Sequence, residues 1–187
     1  MAGLKVLPLF ARGFSLGVCM IQNGVYVVSD RFFCDFNDPF LKGNKNESRP
    51  HYYTFFDSAS GLIWMIPLSS RVEKYQAIID YRTAEHKPCD ILHIAKLDNG
   101  KTSVFLIQDV FPITEDYIER PYTFNNQPLI ITSEKLAATI QEKTVRVLRL
   151  IRRGIRFSNT QPDVLQIERC LLSGEPFQVK EHSSTRL

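Results

Sequence analysis

Apolar positions along this chain follow two rhythms. Short β-branched and aromatic runs dominate residues 24–111, with one helical interruption, and a three-to-four-residue spacing takes over after residue 133. Residues 24–29, GVYVVS, predict a short strand. HYYTFFD (51–57) and GLIWMIPL (61–68), parted by the turn-forming SAS, predict a β-hairpin. CDILHIAKL (89–97) and SVFLIQDVF (103–111), joined by DNGK, predict a second, with Asn99-Gly100 as a type I′ turn signal. Between the hairpins, Val72, Tyr75, Ile78 and Ile79 recur at helical spacing within residues 70–86. Ser69 or Ser70 is the expected N-cap there, and Glu73 would close a capping box from Ser70.

The longest predicted helix covers residues 133–153, with a core stripe of Leu136, Ile140, Val147, Leu148 and Ile151, Ser133 as its cap and Gly154 as its end. A last short helix follows in TQPDVLQIERCLL, with Pro162 at an early position. Residues 35–50 read as a polar loop, and ITEDYIERPY as a short connection. Two strand pairs, a first strand and inserted or appended helices give an α+β fold. Its economical form is a small antiparallel sheet, partly closed into a barrel, with peripheral helices that include one long basic C-terminal helix.

The chain has 187 residues, enough for one domain with a real core, and 44% of them are apolar. Residues 20–173 are expected to form that domain, and residues 174–187 a flexible tail. Residues 1–19 superficially resemble a secretory signal, but Pro8 and Arg12 interrupt the short apolar part. They are read as a non-native or disordered extension, with Met20 as the start. No apolar run approaches the ~18 residues of a membrane span. Cys19, Cys34, Cys89 and Cys170 form no CxxC pair, which fits free thiols in a reducing cytoplasm.

The net charge is only +3, so its distribution matters more than its sum. Lys143, Arg146, Arg149, Arg152, Arg153 and Arg156 run along the long helix and just past it, mostly at spacings of three. Lys42, Lys45, Arg49, Arg71 and Lys74 form a second basic group, interleaved with aromatics such as Tyr52 that could stack on unpaired bases. A solvated face explains the helix cations equally well.

IPLSSRVEKY is the stretch where chemistry concentrates. A helix N-terminus presents backbone N–H groups and a partial positive charge. Ser69, Ser70, Arg71 and Lys74 there make a phosphate site, since a cap needs no cations and basic residues in a first turn oppose the dipole. Within the first hairpin, the start of one strand lies beside the end of the other, so Arg49 and His51 should approach Ser69 and Ser70. Either could move a proton or stabilise a pentacovalent phosphorus. The sequence offers no metal constellation, P-loop, GxSxG elbow or GxGxxG, and no cofactor is implied.

These residues, in this order, resemble the MazF/Kid-like toxin fold. Within it, they are most similar to the type III toxin–antitoxin endoribonucleases of the ToxN/AbiQ group, especially its CptIN-type branch. The matching stretches are NDPFLKGNKNESRPHYY, IPLSSRVEKY, KPCDILHIAKL and SVFLIQDVFPIT, which with the long helix cover about two-thirds of the chain. The resemblance implies metal-independent RNA cleavage by 2′-hydroxyl attack, leaving a 2′,3′-cyclic phosphate. It also implies inhibition by a small, repetitive, pseudoknotted RNA, often within a closed RNA–protein ring. Ser69 and Ser70 match the family's paired hydroxyls. The family's lysine two residues after the second hydroxyl is replaced here by Val72, so Arg71 or Lys74 must supply that charge. The expected roles are phosphate orientation for Ser69 and Ser70, charge stabilisation for Arg71 and Lys74, and proton transfer or electrostatic support for Arg49 and His51. Two other readings fit the same residues: an RNA-binding module without catalysis, and a small-molecule or scaffold barrel whose basic helix is merely solvated.

Overall fold

Strands β2 (Pro50–Asp57) and β3 (Leu62–Ser69) form the predicted first hairpin and the centre of the molecule. The turn closes because Gly61 takes a left-handed φ of 72° and the Asp57 carboxylate accepts from Ala59 N–H and the Ser60 hydroxyl. The structure, a computed structural model, describes residues 20–44 and 48–179. Residues 62–68 of β3 are buried on both faces, which explains why GLIWMIPL is a continuous apolar run with no alternation.

One edge of β3 pairs with β2, from His51↔Pro67 to Asp57↔Leu62, with a bulge between Tyr53 and Phe55. Its other edge is shared by two short strands. β6 (Phe111–Ile113) pairs along residues 63–65, and β5 (Thr102–Phe105) pairs with Leu68 and Ser69. The predicted single strand over residues 103–111 is therefore broken. A 3-10 turn at Ile107–Asp109 carries the chain from one pairing to the other. β5 forms the second hairpin with β4 (His93–Lys96) across a turn where Gly100 has φ 78°.

On the far side, β1 (Val25–Val28) pairs with β2 and with β7 (Ile118–Pro121), which lies in the predicted connection. The order is β4-β5-β3-β2-β1-β7. This bears out the antiparallel α+β reading. Barrel closure is not seen, because no ladder joins β4 to β7 among the described residues. β8 (Thr123–Phe124) and β9 (Gln127–Pro128) form a small separate hairpin, with Asn125 and Asn126 both at positive φ.

The sequence reading gave no helix to residues 30–35, yet α1 (Asp30–Asp35) forms there, capped by Ser29. It exists to place Phe32 in an aromatic cluster with Phe36, Phe111 and Tyr117. α2 (Val72–Ala84) buries only Tyr75; Ile78 is 38% and Tyr81 65% exposed, so its predicted apolar stripe faces water in part. α3 (Glu134–Arg152) is as expected: Ser133 accepts from Leu136 N–H, and Ala137, Ile140, Thr144, Val147, Leu148 and Ile151 line one buried face. α4 (Val164–Ser173) starts after Asp163, which accepts from Gln166 N–H, and ends at Gly174 in the left-handed region. Pro162 thus precedes the cap and lies outside the helix. α3 packs on β2 and the 3-10 turn, and α4 packs on β6. Residues 174–179 run back along the body, with the Phe177 ring 6.0 Å from that of Phe36. Residues 1–19 and 180–187, part of the expected extension and tail, lie outside the described residues. No helix of the described residues is long and apolar enough to cross a membrane.

Candidate active site

The hairpin register decides where the chemistry lies. His51 is paired with Pro67, so two residues outward on each strand Arg49 and Ser69 come opposite each other. β5 adds the third side: Ser69 pairs with Val104, and Ser103 follows beside Ser70. The loop before β2 is anchored by Asn44, whose side-chain amide donates to the Val28 carbonyl. The Asn44 carbonyl accepts the N–H groups of Ser48 and Arg49, each at 3.1 Å, which fixes the backbone of Arg49.

The predicted cap is not formed. Arg71 occupies the N-cap position of α2 with no side-chain hydrogen bond to the helix, and Glu73 closes no box with Ser70. The Ser69 hydroxyl instead accepts from Arg71 N–H at 3.3 Å, a local turn that competes with capping. Ser70 is exposed, so neither serine is consumed by the helix.

These residues line a cleft of about 280 Å³. One wall holds Arg49, Ser69, Ser70 and Arg71. The other side is formed by Asn99 and Lys101 from the second hairpin and Tyr122 from the segment after β7, with Ser103 beside Ser70 on β5. Leu68, Leu97 and Leu129 supply apolar surface between them. Among the described residues the lining includes three cations, Arg49, Arg71 and Lys101, and no carboxylate. Lys74 lies outside it, in an adjoining open groove that also begins at Ser70 and Arg71. Its ammonium sits 5.5 Å from the centre of the Tyr75 ring.

Arg49 is half-buried beside a second cation. Its Nη1 is buried with no hydrogen-bond partner. Burial lowers its pKa; Tyr75 and Asp109 act in the opposite direction, and the Arg71 cation adds to the lowering. The guanidinium stays charged, since arginine does not lose its proton within a protein. A buried N–H without an acceptor costs about 1–3 kcal/mol, which an incoming anion would offset.

Three expected site residues are corrected by their surroundings. His51 lies wholly in the core, 5.5 Å from the Phe111 ring and 6.1 Å from Phe33, and does not line the cleft. Burial first, and the Arg49 charge second, push its pKa down to about 3, so it is neutral near pH 7 and cannot reach substrate. The backbones of Arg49 and Tyr26 oppose that lowering, yet neither ring nitrogen makes a hydrogen bond of ordinary geometry among the described residues. Tyr52 is fully buried, edge-on to Phe105, with its hydroxyl donating to Asn23 Oδ1 at 2.8 Å; it offers no face to a base. Lys42 binds the buried Asp109 carboxylate at 3.1 Å instead of facing solvent as an RNA contact. Burial raises the Asp109 pKa, while Lys42 and then Arg49 oppose that shift. Lys45 lies outside the described residues.

The basic helix is also mostly engaged. Lys143 donates to the carbonyls of Cys89 and Leu92, Arg146 makes a forked pair with Asp90, Arg152 pairs with Glu168, and Arg156 donates to the Gln161 carbonyl. These contacts tie α3 and the segment after it to neighbouring elements. Arg149 and Arg153 are exposed, with no partner among the described residues. Sequence reasoning did not find Ser48, Asn99, Lys101, Ser103 or Tyr122. The usable signal was the Asn-Gly turn, with a lysine directly after it. No group of three or more His, Cys, Asp or Glu among the described residues could hold a metal ion.

The chain has the fold of AbiQ, a lactococcal anti-phage endoribonuclease belonging to the type III toxin–antitoxin system. The two superpose with a TM-score of 0.60 at 14% sequence identity, over 81% of this chain and 98% of AbiQ. No family model matches the chain, and no curated protein matches it by sequence.

Proposed function

We propose that the chain is a metal-independent endoribonuclease toxin of a type III toxin–antitoxin system, acting on cytoplasmic RNA and contributing to phage defence. The carrying observation is the cleft, whose described residues bring three cations and paired hydroxyls together beside an Arg49 Nη1 that lacks a partner among them. That donor set fits a phosphodiester better than a metal ion, which the cations repel and which carboxylate or imidazole ligands would hold. The shared fold with AbiQ supports the same reading.

In the proposed reaction the substrate's own 2′-hydroxyl attacks the adjacent phosphorus. The new O2′–P bond forms as the P–O5′ bond breaks. The 2′-hydroxyl loses its proton and the leaving 5′-oxygen gains one, giving a 2′,3′-cyclic phosphate and a 5′-hydroxyl. Ser69 and Ser70 donate to the non-bridging oxygens. Arg49 and Arg71 offset the charge that grows on them, with Lys74 adding longer-range field from the adjoining groove. Because no histidine lines the cleft, acceleration rests on prepositioned donors, each worth about 10²–10³ in kcat where such donors have been removed. A small repetitive antitoxin RNA would inhibit by occupying the same cations, in a ring assembly if each RNA unit bridges two protein copies.

The test is incubation of the folded protein with total RNA in EDTA, beside a Ser69→Ala/Ser70→Ala variant, with mapping of new ends and assay for cyclic phosphate. New cyclic ends from the wild type, lost in the folded variant, are expected. The absence of a histidine from the cleft favours one other reading, an RNA-binding module without catalysis. Salt-dependent RNA binding with no new ends would select it.

A further inference from the structure

The two walls of the cleft differ in chemistry. A phosphate is held by cations and hydroxyls, which the serine wall supplies. It has no use for the apolar surface of Leu68, Leu97 and Leu129 or for the ring of Tyr122. A nucleobase does, since it has apolar faces and a polar edge. The volume, about 280 Å³, is near the lower end of the roughly 300–1,000 Å³ range for sites that hold small organic ligands.

The far wall is also held in place. Tyr122 donates its N–H to the Val25 carbonyl at 2.8 Å and its carbonyl accepts from Leu129 N–H at 2.9 Å, so its backbone is fixed on both sides. Asn99 Oδ1 accepts from Lys101 N–H at 3.0 Å, which orients the amide and leaves Nδ2 as a donor. The Lys101 ammonium rests 5.3 Å from the centre of the Phe124 ring. An aromatic side chain, an oriented amide and a cation lining the same cleft as a phosphate site are the parts of a nucleotide subsite.

We propose that Tyr122, Asn99 and Lys101 form a nucleobase subsite that selects the nucleotide next to the bound phosphate, Tyr122 by stacking and Asn99 and Lys101 by donating to acceptor atoms on the base edge. The proposal deepens the ribonuclease reading by naming what sets its sequence preference. It can nonetheless fail or hold without cleavage.

The experiment measures binding with RNA that cannot cleave itself. The four 2′-O-methyl homohexamers and a 2′-O-methyl abasic hexamer are titrated at fixed salt against wild type, Tyr122→Ala, Tyr122→Phe and Asn99→Ala. For the wild type, at least one base hexamer should bind roughly five- to a hundred-fold more tightly than the abasic one. Tyr122→Ala should collapse that ratio toward one, Tyr122→Phe should keep it, and Asn99→Ala should compress the differences among the four bases. Equal wild-type affinity for abasic and base hexamers would overturn the proposal. So would a ratio that Tyr122→Ala leaves intact, or a spread among the bases that Asn99→Ala does not narrow. If these binding results hold while the EDTA assay yields no new ends, the subsite stands and only the catalytic reading falls.

Discussion

His51 makes the protein's stability depend on pH in a way its sequence position does not suggest. In the unfolded chain the imidazole titrates near its ordinary 6.5, and in the folded protein at about 3. Between these values the unfolded state binds a proton that the native state refuses, so this contribution to stability is complete above about pH 7 and is lost on acidification. One proton per molecule across that window amounts to about 2 kcal/mol lost by pH 5 and about 3 kcal/mol by pH 4, at about 1.36 kcal/mol per pKa unit. Against a total of about 5–15 kcal/mol, that loss is large. Asp109 works the other way, because burial raises its pKa and its native form takes up a proton more readily on acidification. Comparison with a variant separates the two. In His51→Phe the new ring sits among Phe33 and Phe111, and two unpaired buried nitrogens are removed. Urea denaturation of both proteins at pH 8, 6, 5 and 4 should give a stability difference that shifts in favour of the variant as pH falls, by the amounts above. A difference independent of pH would refute the buried, neutral imidazole. Loss of RNA cleavage in a folded His51→Phe protein would refute its removal from the reaction.

Asp109→Asn leaves the Lys42 ammonium without its counter-charge. It should cost about 2–3 kcal/mol in urea denaturation at pH 7, below the roughly 3–5 kcal/mol for breaking a fully buried pair, because the Lys42 side chain keeps 28% exposure. Tyr52→Phe should cost about 1 kcal/mol, the hydrogen bond to Asn23, and leave RNA affinity at the wild-type value in filter binding. If α3 contacts RNA, it does so through Arg149 and Arg153. The double Gln variant should then flatten the dependence of log affinity on log salt by up to about 1.4 with wild-type stability, and an unchanged slope would place RNA elsewhere.

What the sequence could and could not reveal follows from the range of the interactions involved. The first hairpin, α3 and its serine cap were legible because period, turn residues and cap lie within a few positions of one another. The approach of Arg49 to Ser69 was legible for the same reason, since a hairpin's register is fixed by its own turn. The rest of the cleft was not. Lys101 and Ser103 reach it only because β5 pairs with the last two residues of β3 while β6 takes the first half of the same edge, a division no local pattern encodes. The errors had a common source as well. His51, Tyr52 and Lys42 were judged by residue type, but their roles depend on both faces of β2 being covered there and on a carboxylate, Asp109, sixty-seven positions from Lys42 in the chain. The same reasoning bears on the cations of α3. Spacing placed them on the helix but could not reveal that Asp90, Glu168 and three backbone carbonyls were waiting for four of them. A count of basic residues therefore overstated the charge available to RNA on that helix. Beside the exposed Arg149 and Arg153, the cations open to a phosphate among the described residues include those in the cleft, where Arg49 is half-buried beside Arg71 and an incoming anion would relieve both the repulsion and the unpaired Nη1.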